Sequence, residues 1–579
     1  MLAPRWQRTL GGQRASRLRW SGLSFAAESR SDPVPLRAVP DIERPTWTGP
    51  CPDLLHPQAK MSIDAHALGP QLLFAFAGGD ASERIRGILA DVDHTATRWD
   101  PAVFSKHLFI DTWVDHLCGL PLEGRPLEAD PSTLRALITR PPSDAAERTF
   151  RQDVLKEVAN SPTVRDELLE IYRELRRLRV FLLRAPPDGA GESTRRRIQI
   201  LGVLRAIFER VGASFHGCTS GLQRLRELAI EHTGRESFRR LVDLLDHDRH
   251  RATVDLQIRL GGDGRVRTLV VAKIHEDPKN RFYRTPAQRL WAKIGLLLRG
   301  YRFSDAELVD RWIDSVYDEI AQIIPGFLQL IGHIELYLVA LAFREEARAK
   351  GLEVSLPEIE EGPTKLDGLF NPLLLAQGTR PVPCDLVRRG PGSTTVITGP
   401  NSGGKTRLLQ SIGLAQLLGQ GGLFVPARRA KLRIAPYLFC SLVQEESFDQ
   451  SEGRLGTELL RIRRMFESAP PGSLIIIDEL CSGTNPSEGE EIFMLVIQLL
   501  RELEPETFVT THFLDFAHRL EARSDELKLS FLRVELDEAQ HPTFAFAPGV
   551  APTSLAGRAA SRLGVTRDEL SALVRKHKA

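Results

Sequence analysis

A glycine-rich segment at residues 399–406 restricts the possible folds of this chain more than any other feature. It reads Gly-Pro-Asn-Ser-Gly-Gly-Lys-Thr and matches the phosphate-loop pattern G-x-x-x-x-G-K-[ST] at each fixed position. A β-prone run at 394–398 precedes it, and apolar residues at helical spacing follow it over 408–418. A strand, a tight loop and a helix in this order predict an α/β domain with a phosphate site. The alternative is a glycine-rich turn that merely joins a strand to a helix.

The loop also predicts how phosphate oxygens are held. Glycines let several backbone N–H groups point at one anion, and the N-terminus of the following helix adds partial positive charge. We expect Lys405 to reach the β- and γ-phosphates of a nucleotide and the Thr406 hydroxyl to ligate Mg²⁺. The predicted phosphate-binding residues are Gly399, Pro400, Asn401, Ser402, Gly403, Gly404, Lys405 and Thr406.

A second informative segment, residues 473–479, reads Ser-Leu-Ile-Ile-Ile-Asp-Glu. A continuous apolar run is typical of a strand that is buried on both faces of a parallel sheet. Asp478 would then lie beside the phosphate loop and hold Mg²⁺ through water, and Glu479 would polarise the attacking water. By itself the segment fits a buried strand with a solvated acidic turn equally well. The phosphate loop upstream favours the first interpretation.

Several motifs resemble those of the MutS family of ATPases. Residues 478–489, Asp-Glu-Leu-Cys-Ser-Gly-Thr-Asn-Pro-Ser-Glu-Gly, resemble the family stretch D-E-[LI]-G-x-G-T-x-P-x-E-G, and the phosphate loop has the family form T-G-P-N-x-G-G-K. The stretches 422–427, 509–513 and 548–566 also resemble family motifs and follow the family order. The resemblance covers roughly residues 366–566 and extends more weakly to 150–162 and 332–342.

The resemblance implies a site that binds ATP and Mg²⁺ and hydrolyses ATP. The implied catalytic residues are Lys405, Glu479 and His512, and His512 would sense the γ-phosphate. Thr406 and Asp478 would hold the metal ion, and Phe370 would lie near the adenine. The family also implies a homodimer in which each site combines the Walker elements of one subunit with the signature loop of the other.

The chain departs from the family pattern in several places. We expect neither an N-terminal mismatch-recognition domain nor a C-terminal Smr domain. The triplet at 343–345, Phe-Arg-Glu, has the spelling of the F-x-E wedge but belongs to a predicted long helix. In the signature stretch 451–458, Gly453 stands where the family has serine, which leaves activation across the dimer open. Cys481 replaces a usual glycine beside the predicted catalytic acids.

The sequence predicts a multidomain α + α/β protein: a helical lever or core domain with a small β-hairpin insertion, followed by an ABC-like P-loop NTPase domain. Residues 1–60 are rich in proline and arginine and predict a disordered tail. The helical domain spans 61–350, with the hairpin at 251–275 as a reduced clamp or a short sheet that only caps the helices. A linker at 351–365 leads to the ATPase domain, 366–579, which ends in a short helical segment.

Composition adds limits on partners and location. The net charge of +2 neither requires nor excludes nucleic acid, although arginines cluster at 173–184, 195–197 and 224–240. Acids are interleaved through the first and third of these runs, so the arginines fit either a solvated, salt-bridged helix face or contacts with DNA phosphates. The six cysteines show no metal-ligand spacing, which favours a reduced, cytoplasmic protein without a zinc site. The apolar run from 324 to 343 approaches the length of a membrane span. Its polar insertions favour a buried core helix, so we expect no membrane partner.

The sequence therefore predicts an ATP-dependent DNA-binding ATPase of the MutS family that acts in mismatch repair or recombination. Its DNA partner would be mismatched or branched duplex, and ATP hydrolysis would switch a dimeric clamp. Two alternatives remain open. One is an ABC-type ATPase that acts on a protein partner without direct DNA recognition, and the other is a nucleotide-binding scaffold with little turnover.

Overall fold

The computed structural model describes residues 51–578, with gaps at 91–96, 98, 185–189, 250–252, 261–265, 276–304, 401, 443–452, 482–484 and 553–566. The chain divides into two units, Met1–Thr46 and Trp47–Ala579, and all described residues belong to the second unit. The predicted motif residues at 401, 451–452, 482–484 and 553–566 lie outside the described part.

The N-terminal half of the second unit is helical. Its helices are α1 (Ala65–Phe76), α2 (Ser82–Ala90), α3 (Ile110–Gly119), α4 (Pro131–Thr139), α5 (Ala145–Asn160), α6 (Pro162–Leu183), α7 (Ala190–Ala213), α8 (Gly221–Gly234), α9 (Glu236–Arg249), α10 (Asp305–Ile320) and α11 (Ile324–Ala349). Strands β1 (Pro121–Leu122) and β2 (Arg125–Pro126) form a small antiparallel pair. Polar N-caps begin several helices: the Asp130 and Ser161 side chains each accept a backbone N–H, and proline occupies the first turn after each.

Helix α11 is the central helix of this half. Its residues are buried almost continuously from Ile324 to Arg344. The stretch Trp312–Ala349 is long and apolar enough to cross a membrane, but its apolar window is buried inside the protein. The predicted buried core helix is therefore present, with the polar His333 and Glu335 enclosed by neighbouring helices.

The predicted disordered tail, residues 1–60, includes residues that are packed against the helical half. Residues 1–50 lie outside the described part, but Asp53, Leu54 and Leu55 are buried against α11. The Tyr337 hydroxyl donates a hydrogen bond of 2.5 Å to the carbonyl oxygen of Leu54. The Asp53 carboxylate accepts the backbone N–H of Leu55 at 2.7 Å and of Lys60 at 2.9 Å. Two leucines in a proline-rich stretch carry no periodicity, so this docked segment could not be predicted from the sequence pattern.

Strands β3 (Thr253–Leu260) and β4 (Val266–His275) pair antiparallel within the predicted hairpin residues 251–275. The register shifts twice along the pair, between Asp255 and Leu256 and between Arg259 and Leu260. The hairpin follows α9 directly in the chain and precedes α10, so it is an insertion into the helical region.

The C-terminal half contains two sheets. The larger has the order β10-β11-β12-β8-β13-β14, from the strands β8 (Thr394–Thr398), β10 (Leu438–Ser441), β11 (Leu474–Ile477), β12 (Glu506–Thr510), β13 (Leu529–Leu536) and β14 (Pro542–Pro548). All neighbours are parallel except β13 and β14, which are antiparallel. The smaller sheet has the order β5-β9-β6-β7, from β5 (Glu358–Ile359), β6 (Thr364–Leu369), β7 (Cys384–Arg388) and β9 (Arg429–Leu432).

Helices cover both faces of the larger sheet. The helices of the C-terminal half are α12 (Leu373–Ala376), α13 (Lys405–Gln420), α14 (Gly453–Ser468), α15 (Pro486–Leu503), α16 (Leu514–Glu521), α17 (Ser524–Leu527) and α18 (Arg567–Lys578). Successive residues of β11 alternate between two apolar cores: Leu474 and Ile476 face one, and Ile475 and Ile477 face the other. The first core continues into the helical half. The mixed helical and α/β architecture therefore agrees with the predicted fold class.

Candidate nucleotide site

A cavity of about 820 Å³ opens at the N-terminal end of α13. Its lining includes Ser402, Gly404, Lys405 and Thr406 of the predicted phosphate loop. The sheet order explains why other predicted residues meet there. Strands β8, β12 and β11 are parallel neighbours, so the segments that follow their carboxyl ends gather at one edge of the sheet.

The phosphate loop has the backbone that its glycines predict. Gly399 and Gly404 have positive φ values of 139° and 87°, a region that favours glycine. The side chain of Val534 packs against the loop, and a Cβ atom placed on Gly403 would lie 2.8 Å from its Cγ2. Any larger residue at Gly403 would therefore push the loop away from β13.

The ammonium group of Lys405 lies inside this loop. Its Nζ donates hydrogen bonds to the carbonyl oxygens of Gly399 at 2.9 Å and Pro400 at 3.2 Å. Burial lowers the pKa of Lys405, and the charges of Glu479 and Asp478 oppose that change. The three predicted charged residues are therefore close enough to influence one another.

Asp478 joins three segments of the site. One carboxylate oxygen accepts a hydrogen bond of 2.5 Å from the Thr406 hydroxyl, and the other accepts one of 2.5 Å from the Thr510 hydroxyl. Thr510 Oγ1 also accepts the backbone N–H of Glu479 at 2.7 Å. Thr510 was not among the predicted site residues, although it lies in the stretch 509–513, which resembles a family motif.

This arrangement fits Mg²⁺. Among the described residues, no group of three or more His, Cys, Asp or Glu side chains is placed to enclose a metal ion. Mg²⁺ in phosphate-transfer sites needs no such group, because it keeps waters and takes most ligands from the substrate phosphates. One hydroxyl and one carboxylate, from Thr406 and Asp478, are sufficient protein ligands for that mode of binding.

The turn after β11 holds Glu479 at the cavity. Glu479 and Cys481 both have positive φ, 51° and 61°, which is uncommon for residues other than glycine. Glu479 lines the cavity and is half-buried. Cys481 is fully buried, and this burial, with the nearby Glu458 charge, raises the pKa of its thiol to about 12. The left-handed backbone at Cys481 is one that a glycine would adopt without strain.

Two of the predicted site residues, His512 and Phe370, do not present an exposed side chain to the cavity. His512 is exposed and contacts Phe513, with ring centroids 4.2 Å apart, and it does not contribute to the cavity lining described above. Phe370 contributes to the lining but is only 1% exposed, and its ring packs near Phe343 with centroids 6.4 Å apart. Stacking of a base on Phe370 would require its ring to leave this packing.

Two exposed aromatic rings line the same cavity instead. Phe109, at the start of α3, is 41% exposed, and Phe544, on β14, is 46% exposed. Both have positive φ, 51° and 63°. The Phe544 ring lies against the phosphate loop, since a Cβ atom on Gly404 would be 3.3 Å from its Cδ1. Neither residue belongs to a recognisable motif, so the sequence offered no signal for them.

Comparisons with known proteins show which proteins this chain is similar to. A family model described as MutS domain V matches residues 395–567. The protein named endonuclease MutS2 from Streptococcus agalactiae serotype Ia is 33% identical over 270 residues, which are 46% of this chain and 33% of that protein. The protein of the same name from Thermus thermophilus is 31% identical over 280 residues, 48% of this chain and 36% of that protein. The chain thus spans about a third of the length of the curated relatives it matches.

Proposed function

Because this chain is a member of the MutS family, we propose that it is a P-loop ATPase that hydrolyses ATP with Mg²⁺ and binds DNA as a homodimer. The observation that carries the catalytic part is the hydrogen-bonded group of Thr406, Asp478 and Thr510 beside the phosphate loop. This group supports the proposal because a nucleotide-bound Mg²⁺ takes one hydroxyl and one carboxylate as protein ligands in sites of this kind.

Each residue of the cavity has a role in this proposal. Lys405 and the backbone N–H groups of the loop bind the phosphates, and Thr406 and Asp478 hold Mg²⁺, which neutralises charge on the β- and γ-phosphates when bound. Glu479 orients the attacking water and accepts its proton. His512 responds to the γ-phosphate. Phe370 near the adenine stays a prediction from the family resemblance.

The DNA part of the proposal depends on the family alone. The partner would be mismatched or branched duplex, in mismatch repair or recombination, and ATP hydrolysis would switch a dimeric clamp between states of different DNA affinity. The insertion of a β-hairpin into the helical half is compatible with a reduced clamp. A cytoplasmic location stays a prediction from the sequence.

Calorimetry on the full-length protein tests the nucleotide site. We expect wild type to bind ATP with Mg²⁺ and Lys405→Ala to bind it at least about tenfold more weakly, because the variant loses a charge-assisted contact to the phosphates. A matched control is Lys431→Ala, which removes an exposed lysine paired with Glu358 and Glu360. Equal affinity for wild type and Lys405→Ala would contradict the assignment of the loop.

A DNA-preference panel separates the proposal from its alternatives. Fluorescence anisotropy with homoduplex, mismatched duplex and four-way junction, with and without ATP, measures both affinity and nucleotide dependence. Binding that changes with ATP supports a nucleotide-switched DNA clamp. An absence of DNA binding at low salt, with normal ATP hydrolysis, would favour the ATPase that acts on a protein partner.

A further inference from the structure

The lining of the nucleotide cavity includes an aromatic ring from the helical half. Phe109 directly precedes α3, lines the cavity and is 41% exposed. Its backbone is left-handed, with φ 51° and ψ 42°, a conformation that is strained for a bulky residue. Neither burial nor backbone preference accounts for this placement. Because strained residues are concentrated at sites where proteins hold ligands, Phe109 is a candidate ligand contact.

The flanking residues fix Phe109 at the cavity. Leu108 is fully buried and packs on α13, where a Cβ atom on Gly413 would lie 2.8 Å from its Cδ2. The Nδ1 atom of His107 accepts the backbone N–H of Leu442 at 3.2 Å, and Leu442 also lines the cavity. The backbone that presents the ring is therefore held by contacts with the nucleotide-binding half.

The described lining of the cavity divides into a polar part and a largely apolar part. The polar part contains the phosphate loop, Asp478 and Glu479. The apolar wall belongs to the segment 369–384 and includes Leu369, Leu374, Pro381 and Val382. A nucleoside triphosphate has the same division, since its phosphates are anionic and its base is a flat ring that favours stacking. With the phosphates on the loop, the apolar wall is the part of the lining that suits the base.

Phe109 adjoins this apolar wall. Its helix, α3, packs beside α12, and Leu374 of α12 belongs to the wall. The other rings of the lining are less available to a base. Phe370 is buried and Phe546 is half-buried against the core, whereas Phe544 lies against the phosphate loop, in the polar part. Phe109 is therefore the exposed ring beside the apolar wall.

We propose that the Phe109 ring stacks on the base of bound ATP, so that the helical half contacts the nucleotide directly. This inference rests on the proposed function and adds to it a nucleotide contact from outside the ATPase domain. Stacking covers apolar surface on both rings and needs no hydrogen-bond partner, which a phenylalanine could not supply.

The same helix connects this contact to α11. Trp113, one turn after Phe109, is buried and packs edge-on against Phe343 of α11, with ring centroids 5.9 Å apart. With a base stacked on Phe109, a single helical turn separates the nucleotide from the central helix of the helical half.

Calorimetry with two ligands tests the stack on the full-length protein. ATP has a base and inorganic tripolyphosphate has none, and both are used with Mg²⁺. We expect Phe109→Ala to bind ATP about five- to a hundredfold more weakly than wild type, since alanine substitution of stacking aromatics has effects of this size, and to bind tripolyphosphate unchanged. Phe109→Tyr keeps an aromatic ring and should keep the wild-type affinity for both ligands. The matched control, Phe74→Ala, removes a ring that is 51% exposed on α1 and does not line the cavity, and it should change neither affinity.

The remaining outcomes each contradict the inference in a different way. Wild-type affinity for ATP in Phe109→Ala overturns it. Equal weakening of both ligands also overturns it, because the residue would then act through the shape of the phosphate loop. A loss specific to ATP in Phe544→Ala alone would assign the stack to Phe544 instead. A wild type that binds tripolyphosphate as tightly as ATP overturns the inference and leaves the phosphate site intact. A wild type that binds neither ligand overturns the proposed function, and this inference with it.

Discussion

At the scale of single residues, Asp478 connects three chain segments that meet at the cavity. It accepts hydroxyl hydrogen bonds from two different segments, and the next residue, Glu479, donates its backbone N–H to one of the same hydroxyls. A small movement of β12 would therefore shift both acids together. In the proposed mechanism, Thr510, the shared partner, positions the two acids and takes no catalytic part.

Replacing Thr510 tests that role. Thr510→Val keeps the shape of the side chain but removes a hydrogen bond to a carboxylate and the acceptor for the Glu479 N–H. Since hydrogen bonds to charged groups contribute about 1.5–3 kcal/mol, we expect kcat for ATP to fall at least about tenfold, while the Kd for ATP changes less. Thr510→Ser, which keeps the hydroxyl, should retain most activity. Equal loss of binding and turnover would indicate that the threonine acts mainly on nucleotide affinity.

At the scale of elements, a buried ion pair ties the smaller sheet to the larger one. Arg388 on β7 forms two hydrogen bonds with the Glu506 carboxylate on β12, of 3.1 Å and 2.6 Å, and a third of 2.7 Å with Gln416 on α13. Both side chains of the ion pair are almost fully buried. The pair fixes how β7 lies against the strand that carries Thr510.

Breaking this pair should be costly. Arg388→Ala leaves the Glu506 carboxylate buried without its partner, and such changes destabilise proteins by about 3–5 kcal/mol. We expect the midpoint of urea unfolding of the full-length protein to fall accordingly. The double variant Arg388→Met, Glu506→Gln removes the buried charges together and should recover part of the loss. A single variant as stable as wild type would show that the pair contributes nothing to the fold.

A second element-scale contact is the segment at 51–60 docked on α11. Burial raises the pKa of Asp53, but the hydrogen bond from His56, the charges of His333 and His56 and the backbone N–H of Leu55 outweigh it and bring the pKa to about 2. A carboxylate with a depressed folded-state pKa stabilises the fold above its unfolded pKa, and that stability is lost as the pH falls through the folded value.

Asp53→Asn should expose this dependence. At neutral pH the variant should be less stable than wild type by about 2 kcal/mol. The difference should shrink as the pH falls from about 4 towards 2, where the wild-type carboxylate becomes protonated. Chemical unfolding at a series of pH values, monitored by fluorescence, measures it. A difference that stays constant over this range would exclude Asp53 ionisation as the cause.

The strand–loop–helix unit around the phosphate loop could be predicted from sequence, because each part depends on neighbouring residues. The strand at 394–398, the helix from Lys405 and the strand ending at Ile477 all lie where local pattern placed them. The contributions of Phe109 and Phe544 could not be predicted in this way. They reach the cavity from distant parts of the chain, and only the tertiary fold brings them together.

At the scale of the whole molecule, the helical half is fixed onto the nucleotide-binding half. The indole N–H of Trp99 donates to the carbonyl oxygen of Ala435 at 3.2 Å, and Leu442, beside the cavity, donates its backbone N–H to His107 Nδ1 at 3.2 Å. Leu108 packs so closely on α13 that a Cβ atom on Gly413 would lie 2.8 Å from its Cδ2. Residues at the cavity are therefore in direct contact with the helical half, which the proposed nucleotide-controlled clamp would require.

The most direct test of the central claim is steady-state phosphate release from the full-length protein and Glu479→Gln, each with ATP and Mg²⁺. If Glu479 orients and deprotonates the attacking water, the variant should bind ATP as wild type does but hydrolyse it at least about a hundredfold more slowly. Equal rates in the two proteins, or no ATP uptake by wild type, would contradict the account.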